Sequence, residues 1–315
     1  MKITRLMTAL AALCVAFPAY AEEVTLTGAV FTSVDTVHGQ PFKIFVDHVN
    51  EIGKGELNIR IVGPEAIPAV EQANAMRSGL IDMIANPPGF YRSMMGEANA
   101  QDISPLTLEE MRASGAYDAL DKLAREKVGG HMLTTFGGVN FHIFLSKDIS
   151  AIDELKGLRV RSQPIFNPFF SSLGISPVVM PIPDVYQALE KGVIQGYGFP
   201  MWGIQDFGWN QLTKVRVDPG FYTSTANVLI NNARYDSLSD TQKKILDDSV
   251  VWFEKEMKEF ERKANEENEK VQKDAGIRVV DFGPEFPANA VSIYWAELEK
   301  ENPDTIPALR KLLSK

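Results

Sequence analysis

Arg161 closes a short extended run in which Leu158 and Val160 alternate with charged residues. A guanidinium at the end of a buried strand can hold both oxygens of a carboxylate at once, so this residue type in this place suggests binding of a small acid. The competing assignment is a structural ion pair at a strand end, which composition alone leaves equally open. Arg159 alternates to the other face and belongs in solvent. A search for catalysis finds no G-x-S-x-G elbow, no H-E-x-x-H, no G-x-x-x-x-G-K-[ST] and no G-x-G-x-x-G. His38, His48, His131 and His142 are scattered with no pair at metal-ligand spacing, and read as surface or ordinary hydrogen-bonded residues. His142 is kept as a ligand candidate because its segment is a possible pocket wall. The acids Glu254, Glu256, Glu259 and Glu261 belong to a solvated helix face. A binding role for a small acid is the expectation, with no metal or cofactor signalled, and an enzyme stays open though no motif supports one.

The elements that must position Arg161 follow an alternating pattern. Val24 to Val30 reads as a strand, Phe42 to Ile52 as a helix with Phe42, Phe45, Val46 and Val49 on one face, and Leu57 to Val62 as a second strand. Val70 to Ser78 is expected to be helical and Ile81 to Ala85 a third strand. Beyond Arg161, Val185, Tyr186, Leu189 and Val193 mark a short helix. Strands alternating with helices argue for an α/β sheet, and such sheets bind ligands beyond the carboxyl ends of their strands. The segments Phe31 to Val37 and Asn86 to Tyr91, directly after predicted strands, are therefore candidate ligand loops. Gly137 to Phe144 runs from a glycine pair into alternating apolar residues that can cross between domains.

From Ser239 the texture changes. Ser239 and Gln242 make a capping box ahead of a long helical pattern, with Leu246, Val250, Phe253, Met257, Phe260 and Ala264 at spacings of four and three. Gly276 stops it. One face on a core and one in water accounts for its charges.

Composition is that of an ordinary soluble protein, and the start of the chain predicts export. In 315 residues, 45% are hydrophobic and 23% charged, ample for two soluble domains. Lys2 and Arg5 precede an apolar stretch from Leu6 to Phe17, and Ala19-Tyr20-Ala21 forms a cleavage pattern before Glu22. Residues 1–21 are thus expected to be a signal peptide, which predicts the periplasm. Cys14, the only cysteine, lies inside that segment without a lipoprotein context, so disulfide and thiol chemistry are excluded from the mature chain. The full chain carries net −9, and removing Lys2 and Arg5 makes it −11. An acidic body with no basic run repels phosphate backbones, which excludes nucleic acid as a partner.

Residues 153–200 carry a resemblance. Leu155-Lys156-Gly157-Leu158-Arg159-Val160-Arg161, then Gly174, Pro177, Met180-Pro181, Pro183-Asp184-Val185-Tyr186-Gln187-Ala188-Leu189 and Gly192-Val193-Ile194-Gln195-Gly196-Tyr197-Gly198-Phe199-Pro200 resemble in order the signature of the periplasmic solute-binding proteins of TRAP transporters, the DctP family. Weaker similarity extends over nearly all the mature chain, including Ser78-Gly79-Leu80-Ile81-Asp82. The resemblance implies a two-lobed α/β binding-protein fold, a long helix spanning both lobes and a hinged ligand cleft. It further implies delivery to one small (DctQ-like) and one large (DctM-like) membrane subunit. It assigns Arg161 to the ligand carboxylate. The expected boundaries are 22–138 and 226–264 for one lobe, 139–225 and 265–315 for the other, and 239–275 for the long helix, in a protein acting as a monomer.

The departures bear on the ligand. Phe141 stands where relatives place a second arginine, Phe199 where they place an asparagine, and Phe31 where a polar residue follows the first strand. With Trp202, Phe166, Phe221 and Tyr222 in neighbouring segments, these rings would form an apolar wall, to which Asn86 and His142 add polar groups. Rings around one fixed cation suit an aromatic or hydrophobic monocarboxylate over a sugar acid, whose hydroxyls would be left unpaired. The alternatives are a binding protein of an ABC importer and, further off, a secreted enzyme acting on a small acid.

Overall fold

The computed structural model describes residues 23–314. The expected leader, with Cys14 and the cleavage position before Glu22, lies outside the described residues. Ten strands form the sheet: β1 Val24–Val30, β2 Leu57–Val62, β3 Met83–Asn86, β4 Gly130–Leu145, β5 Arg159–Ser162, β6 Ser176–Val179, β7 Gly196–Pro200, β8 Val215–Asp218, β9 Thr223–Asn231 and β10 Arg278–Asp281. Their order is β2-β1-β3-β9-β4-β7-β5-β6, with β8 also on β4 and β10 on β8.

The two halves repeat one plan. In the first, β1 pairs in parallel with β2 and β3, and antiparallel β9 closes the set; in the second, β5 pairs in parallel with β6 and β7, and antiparallel β4 closes it. Each half therefore has a point where the strand order reverses, between β1 and β3 and between β5 and β7. At such points the connections leave in opposite directions and a crevice opens beyond the strand ends. The 16-residue β4 serves both halves, and its pairing with β9 shifts register between Gly137 and Val139.

Packing explains the helices. Helix Gln40–Ile52 buries Phe42, Phe45, Val46 and Val49, as the spacing predicts, and each large apolar side chain so buried contributes about 1.5–3 kcal/mol. It comes close to β1 because residue 28 is glycine, where a Cβ would stand 2.9 Å from Phe42 Cζ. The helix Asp240–Asp274 starts on the expected capping box, Ser239 accepting from the Gln242 amide at 3.2 Å and Gln242 accepting from the Ser239 amide at 3.0 Å. Phe253 packs on Phe45 and Phe136 of the first half. Further along, Asn265, Asn268 and Gln272 bond to Trp202 Nε1, the Gly203 amide and the Met201 carbonyl of the second. One helix thus braces both halves.

Several details differ from the sequence reading: Val193 lies beyond helix Ile182–Glu190 and is exposed, and the helix expected over Val70 to Ser78 is Gln72–Arg77 with Val70 exposed. Strand β3 starts two residues and ends one residue later than expected, so Asn86 ends a strand instead of opening a loop. Its side chain is interior, donating to the Ala69 carbonyl and to Gln72 Oε1. His38, read as a surface or ordinary hydrogen-bonded residue, is half-buried against the second half of the molecule and bonded there to the Trp202 carbonyl.

Candidate functional site

The carboxyl ends of β1 and β3 lead into Phe31 and Pro87, and those of β5 and β7 into Gln163 and Met201. These ends face one another. A Cβ on Gly89 would lie 4.0 Å from Gln163 Oε1, and the Val37 amide donates to the Asp206 carboxylate at 3.3 Å.

Arg161 is 4% exposed. Its Nη1 donates to the Gly198 carbonyl at 2.9 Å and its Nε to the Met180 carbonyl at 3.3 Å. Among the described residues no carboxylate forms an ion pair with it. Burial alone, which disfavours the charged form, lowers the guanidinium pKa to about 10. Arg216 shows the contrast. It is equally interior, yet Asp218 meets its guanidinium through both oxygens, at 2.8 and 3.0 Å. Although burial pushes the Asp218 carboxyl up, hydrogen bonds from His142 and Arg216 hold it at about 2. Arg159 is exposed and donates to the Gly192 carbonyl.

Between the halves lies a cavity of about 20 Å³, lined by Phe31, His38, Phe136, Val139, Trp202 and Ser224, among others. That volume is about one water molecule, so an organic acid enters only if the halves part. Phe31 and Trp202 were expected in the wall. Val139 belongs to the segment 137–144 singled out as a possible wall, whereas His38 and Phe136 lie outside the expected segments. His38 Nε2 donates to the Trp202 carbonyl at 3.0 Å, and its ring meets Phe199 edge-on at 5.8 Å. Burial, outweighing the bond to that carbonyl, lowers the imidazole to about 4, so the ring is neutral. Trp202 is held from behind by Asn265, which accepts from its Nε1 at 2.7 Å.

The sheet face sorts the remaining candidates. Arg161 stands opposite Tyr197, which stands opposite Phe144, so all three share a face. Phe141, three residues from Phe144, points to the other. There Phe141, Phe166, Phe221 and Tyr222 join one ring cluster, with Phe141 and Phe166 4.8 Å apart and Phe166 and Phe221 5.1 Å apart. Phe199 lies on the Arg161 side with Phe207 and Trp209. His142 is buried in a different network, its Nδ1 shared between the Val217 carbonyl and Asp218. Among the described residues no group of three or more His, Cys, Asp or Glu could hold a metal ion, and no helix is long and apolar enough to cross a membrane.

Comparison with known proteins gives a consistent result. A family model described as bacterial extracellular solute-binding protein, family 7, matches residues 28–299. The C4-dicarboxylate-binding periplasmic protein DctP of Rhodobacter capsulatus is 26% identical over 286 residues, covering 84% of this chain and 82% of that one. A TRAP periplasmic solute-binding protein from Desulfovibrio salexigens, solved with bound orotic acid, superposes with a TM-score of 0.81 at 20% identity, covering 92% of this chain and 97% of that one. A marine metagenome TRAP solute-binding protein specific for aromatic acid ligands, in complex with metahydroxyphenylacetate, has a TM-score of 0.75 at 22% identity and covers 92% and 98%.

Proposed function

The chain belongs to family 7 of the bacterial extracellular solute-binding proteins, the DctP family, and on that footing we propose that it captures an organic-acid anion between its lobes, with Arg161 on the carboxylate. The observation that carries this is the buried guanidinium held only by carbonyl oxygens. A desolvated cation is unfavourable unless an anion meets it, and a ligand carboxylate supplies that anion when the lobes close. Exported by its leader to the periplasm and acting as a monomer without a chemical step, the protein would hand the acid to TRAP membrane subunits. Closure would bend the β4 and β9 pair where its register shifts, between Gly137 and Val139. A ligand favours the closed form only through contacts it makes there and not in the open form.

For the ligand, we favour an aromatic or otherwise hydrophobic monocarboxylate. Phe31, Phe136, Val139 and Trp202 in the cavity wall and Phe199 beside it support this, since they offer rings and aliphatic groups where a sugar acid needs hydrogen-bond partners. Solved relatives hold orotic acid and an aromatic acid, but others hold galacturonate and glucuronate, so the preference rests on the wall and not on the neighbours. A thermal-shift panel tests the reading. Aromatic monocarboxylates should raise the melting temperature, while small dicarboxylates, sugar acids and uncharged analogues should not. A strong response to sugar acids with none to aromatic acids would reverse the ligand class.

A further inference from the structure

We propose that His38 is a second ligand-contacting group, a neutral hydrogen-bond acceptor through Nδ1, and that the acid bound beside it carries a hydroxyl on its apolar body. This rests on the carboxylate reading above and names the ligand more closely.

The tautomer follows from the partner. The Trp202 carbonyl can only accept, so the nitrogen 3.0 Å from it, Nε2, carries the hydrogen. Burial keeps the ring neutral, which leaves Nδ1 with a lone pair and no hydrogen. The ring's orientation is also set. Cδ2 lies 3.3 Å from where a Cβ on Gly203 would stand, so the Cδ2 and Nε2 edge is turned to Trp202 and Gly203. The opposite edge, Cε1 and Nδ1, is turned away from that contact. Among the described residues Nδ1 has no hydrogen-bond partner, and the ring lines the interlobe cavity.

The surroundings of the acceptor are apolar, with Phe31, Pro87, Phe136, Val139 and Trp202 in the same lining. Of the other polar groups there, Thr225 is committed, its hydroxyl donating to Asp102 at 2.6 Å. Ser224 remains as the competing partner for a ligand hydroxyl. Asp206 Oδ2 and His38 Cδ2 each lie 3.3 Å from the Gly203 Cβ position, and Asp206 is committed to the Val37 amide, from which it accepts. An acceptor in an apolar wall favours a ligand that brings a donor, and a site built around one such contact discriminates against the analogue lacking it.

The test is calorimetry on the full mature chain, using phenylacetate and its 2-, 3- and 4-hydroxy derivatives. The wild type should bind at least one hydroxy acid about tenfold or more tightly than phenylacetate. His38→Phe should bring that ratio to about one, and Ser224→Ala should preserve it. His38→Gln, whose nitrogen still donates to Trp202 while its oxygen accepts, should keep part of the preference and stands in if the phenylalanine variant does not fold. Equal affinity of the wild type for all four acids, or a preference that survives in His38→Phe, overturns this assignment and leaves the carboxylate reading intact. Binding of none of the four overturns this assignment, and binding unaffected by Arg161→Ala overturns both.

Discussion

Arg161 Nη1 lies 2.9 Å from the carbonyl oxygen of Gly198, a contact that orients the guanidinium without neutralising it. Removing the side chain should therefore act on binding and not on folding. Arg161→Ala is expected to weaken acid binding by about 3–5 kcal/mol, the penalty for burying a carboxylate without its partner. The melting temperature of the ligand-free variant should not fall, since a desolvated cation has been deleted. Arg159→Ala should change neither quantity appreciably. Calorimetry and melting of the two variants side by side check all of this, and equal affinity in wild type and Arg161→Ala would remove Arg161 from the site.

Gly137 sits at φ 109°, where β4 shifts register against β9, and a Cβ there would lie 2.5 Å from the Ser224 carbonyl oxygen. Backbone cannot yield as a side chain would. Gly137→Ala should destabilise by about 2–3 kcal/mol through the clash and the strained φ together. Gly138, at φ 80°, has only Glu261 near its Cβ position, at 3.9 Å, so Gly138→Ala should cost about 1 kcal/mol. Denaturant melts rank the pair, and the reverse order would contradict the bulge as described.

The long helix was legible in the sequence because its signals are local. The Ser239 and Gln242 box and the Leu246 to Ala264 stripe need no knowledge of the rest of the chain. Strand β1 and the first helix were equally plain, and Arg161 stood out as a cation in an apolar alternation. The pairing of β6 and β7 with β5 was not visible, because Pro177 and the glycines of Gly196–Pro200 look like turn residues until a neighbouring strand supplies their partners. The continuity of β4 through Gly137 and Gly138 was hidden for the same reason. His38 was missed because nothing periodic surrounds it and its partner, Trp202, is 164 residues away. Which face each ring occupies depends on strand register, so the separation of Phe141 from Arg161 could be read only from the assembled sheet.

Asp102 is buried and accepts from Thr225 Oγ1 at 2.6 Å and Asn99 Nδ2 at 2.9 Å. Burial outweighs those bonds and pushes its carboxyl up to about 7. In the unfolded chain an aspartate ionises near ~4. Between these two values the folded state holds the extra proton, so stability falls as pH rises through the window and levels off above it. Asp102→Asn should raise the melting temperature at pH 8 by roughly 2–4 °C, the effect of about 1 kcal/mol in a chain of this size, and leave it nearly unchanged at pH 4. Asn99 can turn its amide so that its oxygen accepts from the new side chain. Glu261, also pushed up to about 7 by burial, contributes to the slope that remains. Melting curves at the two pH values decide it, and an equal shift at both would exclude titration of Asp102 as the cause.

Phe141 and Phe199 are both nearly buried, at 8% and 4% exposure, so removing either ring should lower stability by about 3–5 kcal/mol. Stability of the free protein cannot tell them apart, but the response to ligand can. Phe199 follows the residue whose carbonyl holds Arg161 and touches His38. Phe141 is enclosed by Phe166 and Phe221 on the opposite sheet face. A ligand at ~100 times its dissociation constant stabilises by ~2.7 kcal/mol, and tenfold weaker binding reduces that to ~1.4 kcal/mol. With the best-binding acid at fixed concentration, the ligand-induced rise in melting temperature should roughly halve in Phe199→Ala and persist in Phe141→Ala. If instead the rise persists in Phe199→Ala and is lost in Phe141→Ala, the ligand lies on the Phe141 face, and Arg161 must reach it around the end of β5.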